Sequence, residues 1–164
     1  MAKVYHYYVE GKTEEKIIKI LKTEFQIIMP GKVEKLNVVE ERLSTKKLMT
    51  LKNRTVIVLV YDVDTNKSDI LKSNIELLKK YKFSVVCVPQ VNNLEDEILK
   101  SCSIRQVKEL TGSKSNKEFK NDMIKSANLG TKLREKQFDF SKFWITSPNN
   151  NFACFGNQAC LIKK

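Results

Sequence analysis

Three acidic residues follow directly on two short apolar runs. Glu10 comes after Val4-Tyr5-His6-Tyr7-Tyr8-Val9, and Asp62 and Asp64 come after Thr55-Val56-Ile57-Val58-Leu59-Val60-Tyr61. Carboxylate oxygens are hard ligands, and a few of them drawn from separate segments suit Mg2+ or Mn2+. Residues two apart on an extended chain project to the same side, so Asp62 and Asp64 can approach one cation. Their mutual repulsion makes that pairing costly without a cation or a shared proton. Each acid also has a plainer use. Glu10 suits the first turn of a following helix, and Asp64 can cap a turn at Thr65-Asn66. Glu95, in Asn92-Asn93-Leu94-Glu95-Asp96-Glu97, is a fourth candidate, and it too fits a helical first turn. Gly11, next to Glu10, allows a close backbone approach or an unusual dihedral.

The elements that must position these acids are legible in outline. Val4 to Val9 reads as a strand. Thr13 is a candidate cap for a helix carrying Ile17, Ile18, Leu21 and Phe25 on one face. Met29-Pro30-Gly31 marks a turn, Val33 to Val39 a short strand, and Glu40 to Leu51 a helix with Leu43, Leu48 and Leu51 inward. Thr55 to Tyr61 is continuously apolar and β-branched, as a central parallel strand covered on both faces requires. Asp69 to Lys80 has helical spacing through Ile70, Leu71, Ile75 and Leu78. Phe83 to Val88 reads as another buried strand, stopped by Pro89, and a helix follows from Leu94 through Ile98, Leu99 and Cys102. Further helices are expected at Ile104 to Leu110 and Asn116 to Ala127. Phe143, Trp144, Phe152 and Phe155 gather in an irregular tail that offers a docking segment.

Strands alternating with helices over the first ninety residues call for an α/β fold, a parallel sheet with right-handed crossovers. In such sheets ligands bind in the crevice beyond the carboxyl ends of the strands, where Glu10, Asp62 and Asp64 fall. No linker or repeat divides the 164 residues, so residues 1–164 are expected to form one domain, with its core in about 3–100 and a helical, irregular extension over 101–164.

Thirty Lys and Arg against nineteen Asp and Glu leave a net charge of +11. An excess of that size favours a polyanionic partner, DNA or RNA, through phosphate neutralisation. No stretch approaches the roughly 20 apolar residues of a membrane span, and the first residues carry no leader pattern, so a cytoplasmic location is expected. Four cysteines without C-x-x-C spacing and a single histidine make no common zinc signature. They read as reduced thiols, Cys87 in the core, and a Cys–His catalytic pair is disfavoured because His6 falls in a buried strand. Gly11-Lys12-Thr13 imitates the end of a phosphate-binding loop, but His6 occupies the position where that loop needs its first glycine. Asp62-x-Asp64 also has the look of an aspartyl-nucleophile phosphatase, although Thr65-Asn66 departs from the usual continuation.

Glu10-Gly11 after a first strand, followed by Asp62-x-Asp64 after a later apolar strand, resembles the Toprim domain shared by topoisomerases, bacterial primases and OLD-family nucleases. Val9-Glu10-Gly11-x-Thr13-Glu14 and Asn93-Leu94-Glu95-Asp96 look most like the small stand-alone and OLD-like Toprim nucleases of bacterial defence loci. The resemblance covers about residues 3–100. It implies a Rossmann-like Toprim fold, a central, mostly parallel sheet of about four strands flanked by helices, with a helical C-terminal part. It further implies a Mg2+-dependent nuclease in phage defence, with Glu10 as acid/base or ligand, Asp62 and Asp64 on Mg2+, and Glu95 supporting a second ion. That branch also tends to use a downstream lysine, for which Lys114 and Lys120 are candidates. The competing expectations are a catalytically inactive Toprim subunit that binds nucleic acid, a protein partner or a second copy of itself, and a small-molecule phosphohydrolase.

Overall fold

The longest β-branched run should lie innermost, because only a strand covered on both faces can hide every side chain. In the computed structural model, which describes residues 3–164, β3 (Thr55–Asp62) is buried along its whole length. It pairs with β1 (Val4–Val9) on one side and β4 (Ser84–Gln90) on the other, and β2 (Gly31–Lys35) lies beyond β1. The sheet order is β2-β1-β3-β4, and every pairing is parallel. Helices flank the sheet, giving the Rossmann-like α/β architecture that the strand–helix alternation calls for.

Side-chain alternation assigns the two faces. Tyr5, Tyr7, Val9, Val56, Val58 and Val60 meet α1 (Lys12–Lys19) and the π-helical turn that prolongs it (Ile20–Glu24), through Ile17, Ile18, Ile20 and Leu21. Tyr8, Ile57, Leu59 and Tyr61 meet α2 (Thr45–Met49) and α3 (Asp69–Lys80) on the opposite face, through Leu48, Leu71, Ile75 and Leu78. The chain therefore winds outward from β1 to β2 over one face and from β3 to β4 over the other. The winding reverses between β1 and β3, and it is beyond the carboxyl ends of the strands at such a reversal that open α/β sheets bind ligands.

Several boundaries differ from the sequence reading, each for a local reason. β2 begins at Gly31 rather than Val33, opposite Tyr5, where a Cβ would drive into the Tyr5 carbonyl. It ends at Lys35 because Asn37 turns the chain, its carboxamide accepting from Val39 N at 3.1 Å. The helix expected over Glu40 to Leu51 shrinks to α2, capped by Ser44, whose Oγ accepts from Lys47 N. The residues before it are claimed by Asn74 of α3. Its Oδ1 accepts from Leu43 N at 2.8 Å, and its Nδ2 donates to Val38 O at 2.9 Å and Glu41 O at 2.8 Å. Pro89 does not stop β4. Cys87 N donates to Gln158 Oε1 and Gln158 N donates to Cys87 O, so that parity faces the open edge, where Pro89 has no ladder bond to lose.

The C-terminal part is more than an extension. α4 (Leu94–Ser101), α5 (Lys108–Thr111), α6 (Phe119–Lys125) and α7 (Leu129–Glu135) complete the α1 face with Leu94, Ile98, Leu110, Phe119, Met123, Leu129 and Leu133. The expected helix at 104–110 is reduced to one turn, and α7 was not anticipated. Phe143, Trp144 and Phe152 are buried, so the aromatic tail is core and does not form an exposed docking segment. Met29 N donates to Ile162 O and Lys164 N to Ile27 O, tying the tail back to the start of β2.

Asn74 is 1% exposed and satisfies three backbone groups at once. Asn74→Ala should lower the unfolding free energy by about 3 kcal/mol in urea titration, since removing one partner strands buried polar groups. A loss below about 1 kcal/mol would mean that the 38–43 segment closes without it.

Candidate functional site

Glu10 is the residue after β1, and Asp62 is the last of β3. Val9 lies beside Val60, so the two acids leave the sheet at adjacent points on its carboxyl edge, at the reversal between β1 and β3. Asp62 is 8% exposed, whereas Glu10 and Asp64 are exposed. Glu14, one turn into α1, is 5% exposed and joins them. Gly11, in extended conformation, is the N-cap residue of α1, and Thr13 lies inside the helix, where its hydroxyl donates to Glu14 Oε2 at 2.9 Å. A Cβ on Gly11 would sit 3.2 Å from that same Glu14 oxygen, so the glycine leaves room for the carboxylate and supplies no unusual dihedral.

These acids act on one another. Burial first, then the charges of Glu10, Glu14 and Asp64, push the Asp62 carboxyl up to about 8, against a downward pull from Gln90. Glu10 is likewise raised, by desolvation and then by Glu14 and Asp64. Asp62 and Asp64, expected from the sequence to approach one another, do lie close enough for their charges to act on each other, and Glu14 adds to the repulsion. Gln90, the last residue of β4, donates from Nε2 to Asp62 Oδ1 at 2.6 Å and accepts from Trp144 Nε1 at 3.3 Å. Trp144, 2% exposed, thus fixes the amide that fixes Asp62.

Glu95 stands in the first turn of α4, which is capped by Asn93, whose Oδ1 accepts from Asp96 N at 3.0 Å. Its Oε1 lies 3.0 Å from Lys120 Nζ. Burial lowers the Lys120 pKa, but the hydrogen bond and charge of Glu95, with Glu14 and Asp62 behind it, outweigh that and raise it. Lys120 therefore stands between Glu95 and the other acids, and it eases Glu10 downward. The lysine brought to the acids is Lys120, not Lys114, which is exposed on the α5–α6 connection with no ion pair among the described residues. Lys16 holds α6 in place, its ammonium donating to Ile124 O at 2.7 Å and to Ser126 O. Glu97, wholly buried, accepts from Val91 N and Trp144 N and is a brace for the loop after β4.

Among the described residues no three His, Cys, Asp or Glu side chains are drawn tightly enough to chelate an ion by themselves. Mg2+ does not demand this, since it takes one or two carboxylates and fills its remaining positions with water and phosphate oxygens. The donors are all hard oxygens, the ligand type that Mg2+ and Mn2+ take, and their repulsion is only partly relieved by Lys120 and Gln90. All four cysteines are free, and burial pushes Cys87 and Cys102 up to about 11, the reverse of an activated nucleophile. His6, buried in β1, is pulled down by desolvation against the opposing charge of Glu34.

Sequence reasoning missed Glu14 and Gln90 as members of the site. Glu14 carries a signal, since its i+4 spacing from Glu10 places it over the strand end once α1 starts at Lys12. Gln90 carries none, because it lies beyond a proline that looked like a strand terminator. No described helix is long and apolar enough to cross a membrane. No family model matches the chain, and no curated protein or solved structure matches it significantly.

Because the folded Asp62 titrates near 8 and an unfolded aspartate near 3.8, the folded state holds an extra proton between those values. Its contribution to stability is fully present below about pH 4 and is lost as pH rises through 8. Asp62→Asn, which keeps the oxygen facing Gln90, should therefore raise Tm increasingly from pH 5 to 8, by at least about 5 °C at the upper end. A Tm difference that stays constant across that range would show that Asp62 is ionised in the fold.

Proposed function

We propose that this protein is a Mg2+-dependent phosphodiesterase acting on nucleic acid, DNA or RNA. The observation that supports this most is the convergence of Glu10, Glu14, Asp62 and Asp64 at the strand-order reversal, with Asp62 pushed up to about 8 by burial and by those neighbours. Carboxylates that repel one another at a strand exit favour a cation between them. The Toprim likeness of Glu10-Gly11 and Asp62-x-Asp64 and the net charge of +11 point the same way.

In this reading Asp62 and Asp64 hold the ion, with Gln90 and Trp144 keeping Asp62 oriented. The ion would supply Lewis-acid polarisation of the phosphoryl group and a more acidic water. Glu10, its pKa raised by desolvation and by the charges of Glu14 and Asp64, accepts a proton from the attacking water at its carboxylate. Lys120, kept charged by Glu95, presents Nζ to the phosphate or to the departing oxygen. Glu95 serves here as the partner of Lys120, and a role for it on a second ion would require that pair to open. A function in phage defence belongs to the same reading through the family likeness.

The test is cleavage of labelled single- and double-stranded DNA and RNA with Mg2+, with Mn2+ or with EDTA. Cleavage should need the metal. Asp62→Asn and Glu10→Gln should each cut the rate by about 100-fold or more while changing binding less than about 3-fold. Lys120→Ala should slow cleavage and Lys120→Arg restore part of it. Metal-independent binding without cleavage by the wild type would make the protein a binding subunit. Hydrolysis of a simple phosphate ester but not of polynucleotide would make it a small-molecule phosphohydrolase.

A further inference from the structure

At the end of the sheet opposite the carboxylates, the turns leading into β3 and β4 border an open cavity of about 660 Å3. Lys3, Arg54 and Lys82 line it together with Tyr81 and Phe83, and no carboxylate does. Among the described residues none of these three cations is ion-paired, although Lys47, Lys100, Lys120 and others are. Like charges gathered without a counter-charge repel one another, and an anion relieves them.

The backbone adds an independent sign. Arg54 (φ 67°) and Lys82 (φ 61°) both take the left-handed conformation. Lys82 closes α3, with Lys82 N donating to Lys79 O and Phe83 N to Leu78 O, a position that glycine fills at least cost. Arg54 ends the turn in which Thr55 N donates to Lys52 O. Neither turn needs a cation to form. Two strained positions nonetheless carry long cationic side chains, and both line the same cavity.

We propose that this cavity is a nucleic-acid contact separate from the carboxylate centre, taking backbone phosphate on Arg54, Lys82 and Lys3 and a neighbouring base of a single strand against Tyr81. Tyr81 is 41% exposed, a large aromatic held at the surface beside unpaired cations. That combination is how proteins grip unpaired strands: cations follow the phosphates, and an aromatic ring receives a base face that a duplex keeps stacked. β3 separates this cavity from Asp62 by its full length, about 25 Å at strand rise. The site therefore does not rest on the metal chemistry.

The test is fluorescence anisotropy of a labelled 12-nucleotide thymidine oligomer, in EDTA so that no cleavage occurs. R54E/K82E should weaken binding at least 10-fold and flatten the salt dependence by about one to two phosphate contacts. The charge-matched control K46E/K72E, on α2 and α3, should weaken it less than 3-fold. Y81A should weaken it about 5- to 10-fold. R54G/K82G should raise Tm by about 2–4 °C by releasing the left-handed strain, while still weakening binding; those opposite signs separate a ligand role from a folding role. Equal losses in the two charge-reversal variants would overturn the proposal. So would an unchanged affinity in Y81A, or a duplex of the same length binding as tightly as the single strand.

Discussion

The repulsion among carboxylates gathered between β1 and β3 is the constraint around which the rest of the molecule is arranged. Glu10 and Asp62 are brought together by the parallel register of the two strands, and Glu14 is added by the first turn of α1. Left alone, such a group lowers stability, and the fold answers in three ways. Asp62 shifts its titration to about 8, Gln90 donates to it, and Lys120 lends a positive charge from α6. None of these cancels the acids outright. What remains is a residual repulsion at the one place on the sheet where the winding reverses.

Easing that repulsion depends on residues remote in sequence. α6 is docked by the burial of Phe119 and Met123 and by Lys16, whose ammonium takes the carbonyls at its C-terminal end. Lys120 follows Phe119 and so faces the acids whenever the core is formed. Trp144 likewise packs against Phe143, with ring centroids 4.6 Å apart, and its indole N–H holds Gln90. The C-terminal part of the chain thus both completes the hydrophobic layer over α1 and supplies the second row of the site. Cutting the chain near residue 100 would remove the lysine and the tryptophan brace along with half of that layer.

The two ends of the sheet have opposite character. Carboxylates crowd the edge where the strands finish, and unpaired cations line the cavity where β3 and β4 begin. The acidic edge stands in a chain whose net charge is +11. Both features follow from parallel strands, which send all their exits to one side and all their beginnings to the other.

Much of the architecture was readable from residue order. The β-branched run of β3 has to be central, α3 runs from Asp69 to Lys80 as its apolar spacing requires, and acids placed just past strand ends have to gather at one edge. Strand periodicity and parallel connectivity are local properties, so the chain declares them directly. The fate of Pro89, the shrinking of α2, the burial of Trp144 and the choice of Lys120 over Lys114 are different in kind. Each depends on which distant segment arrives beside it: Gln158 on the open edge of β4, Asn74 beneath the 38–43 loop, α6 on α1. Sequence alone determined the sheet, its exits and the acids at them. Tertiary packing decided which neighbours those acids have, because contacts between residues far apart in the chain leave no period or spacing to read.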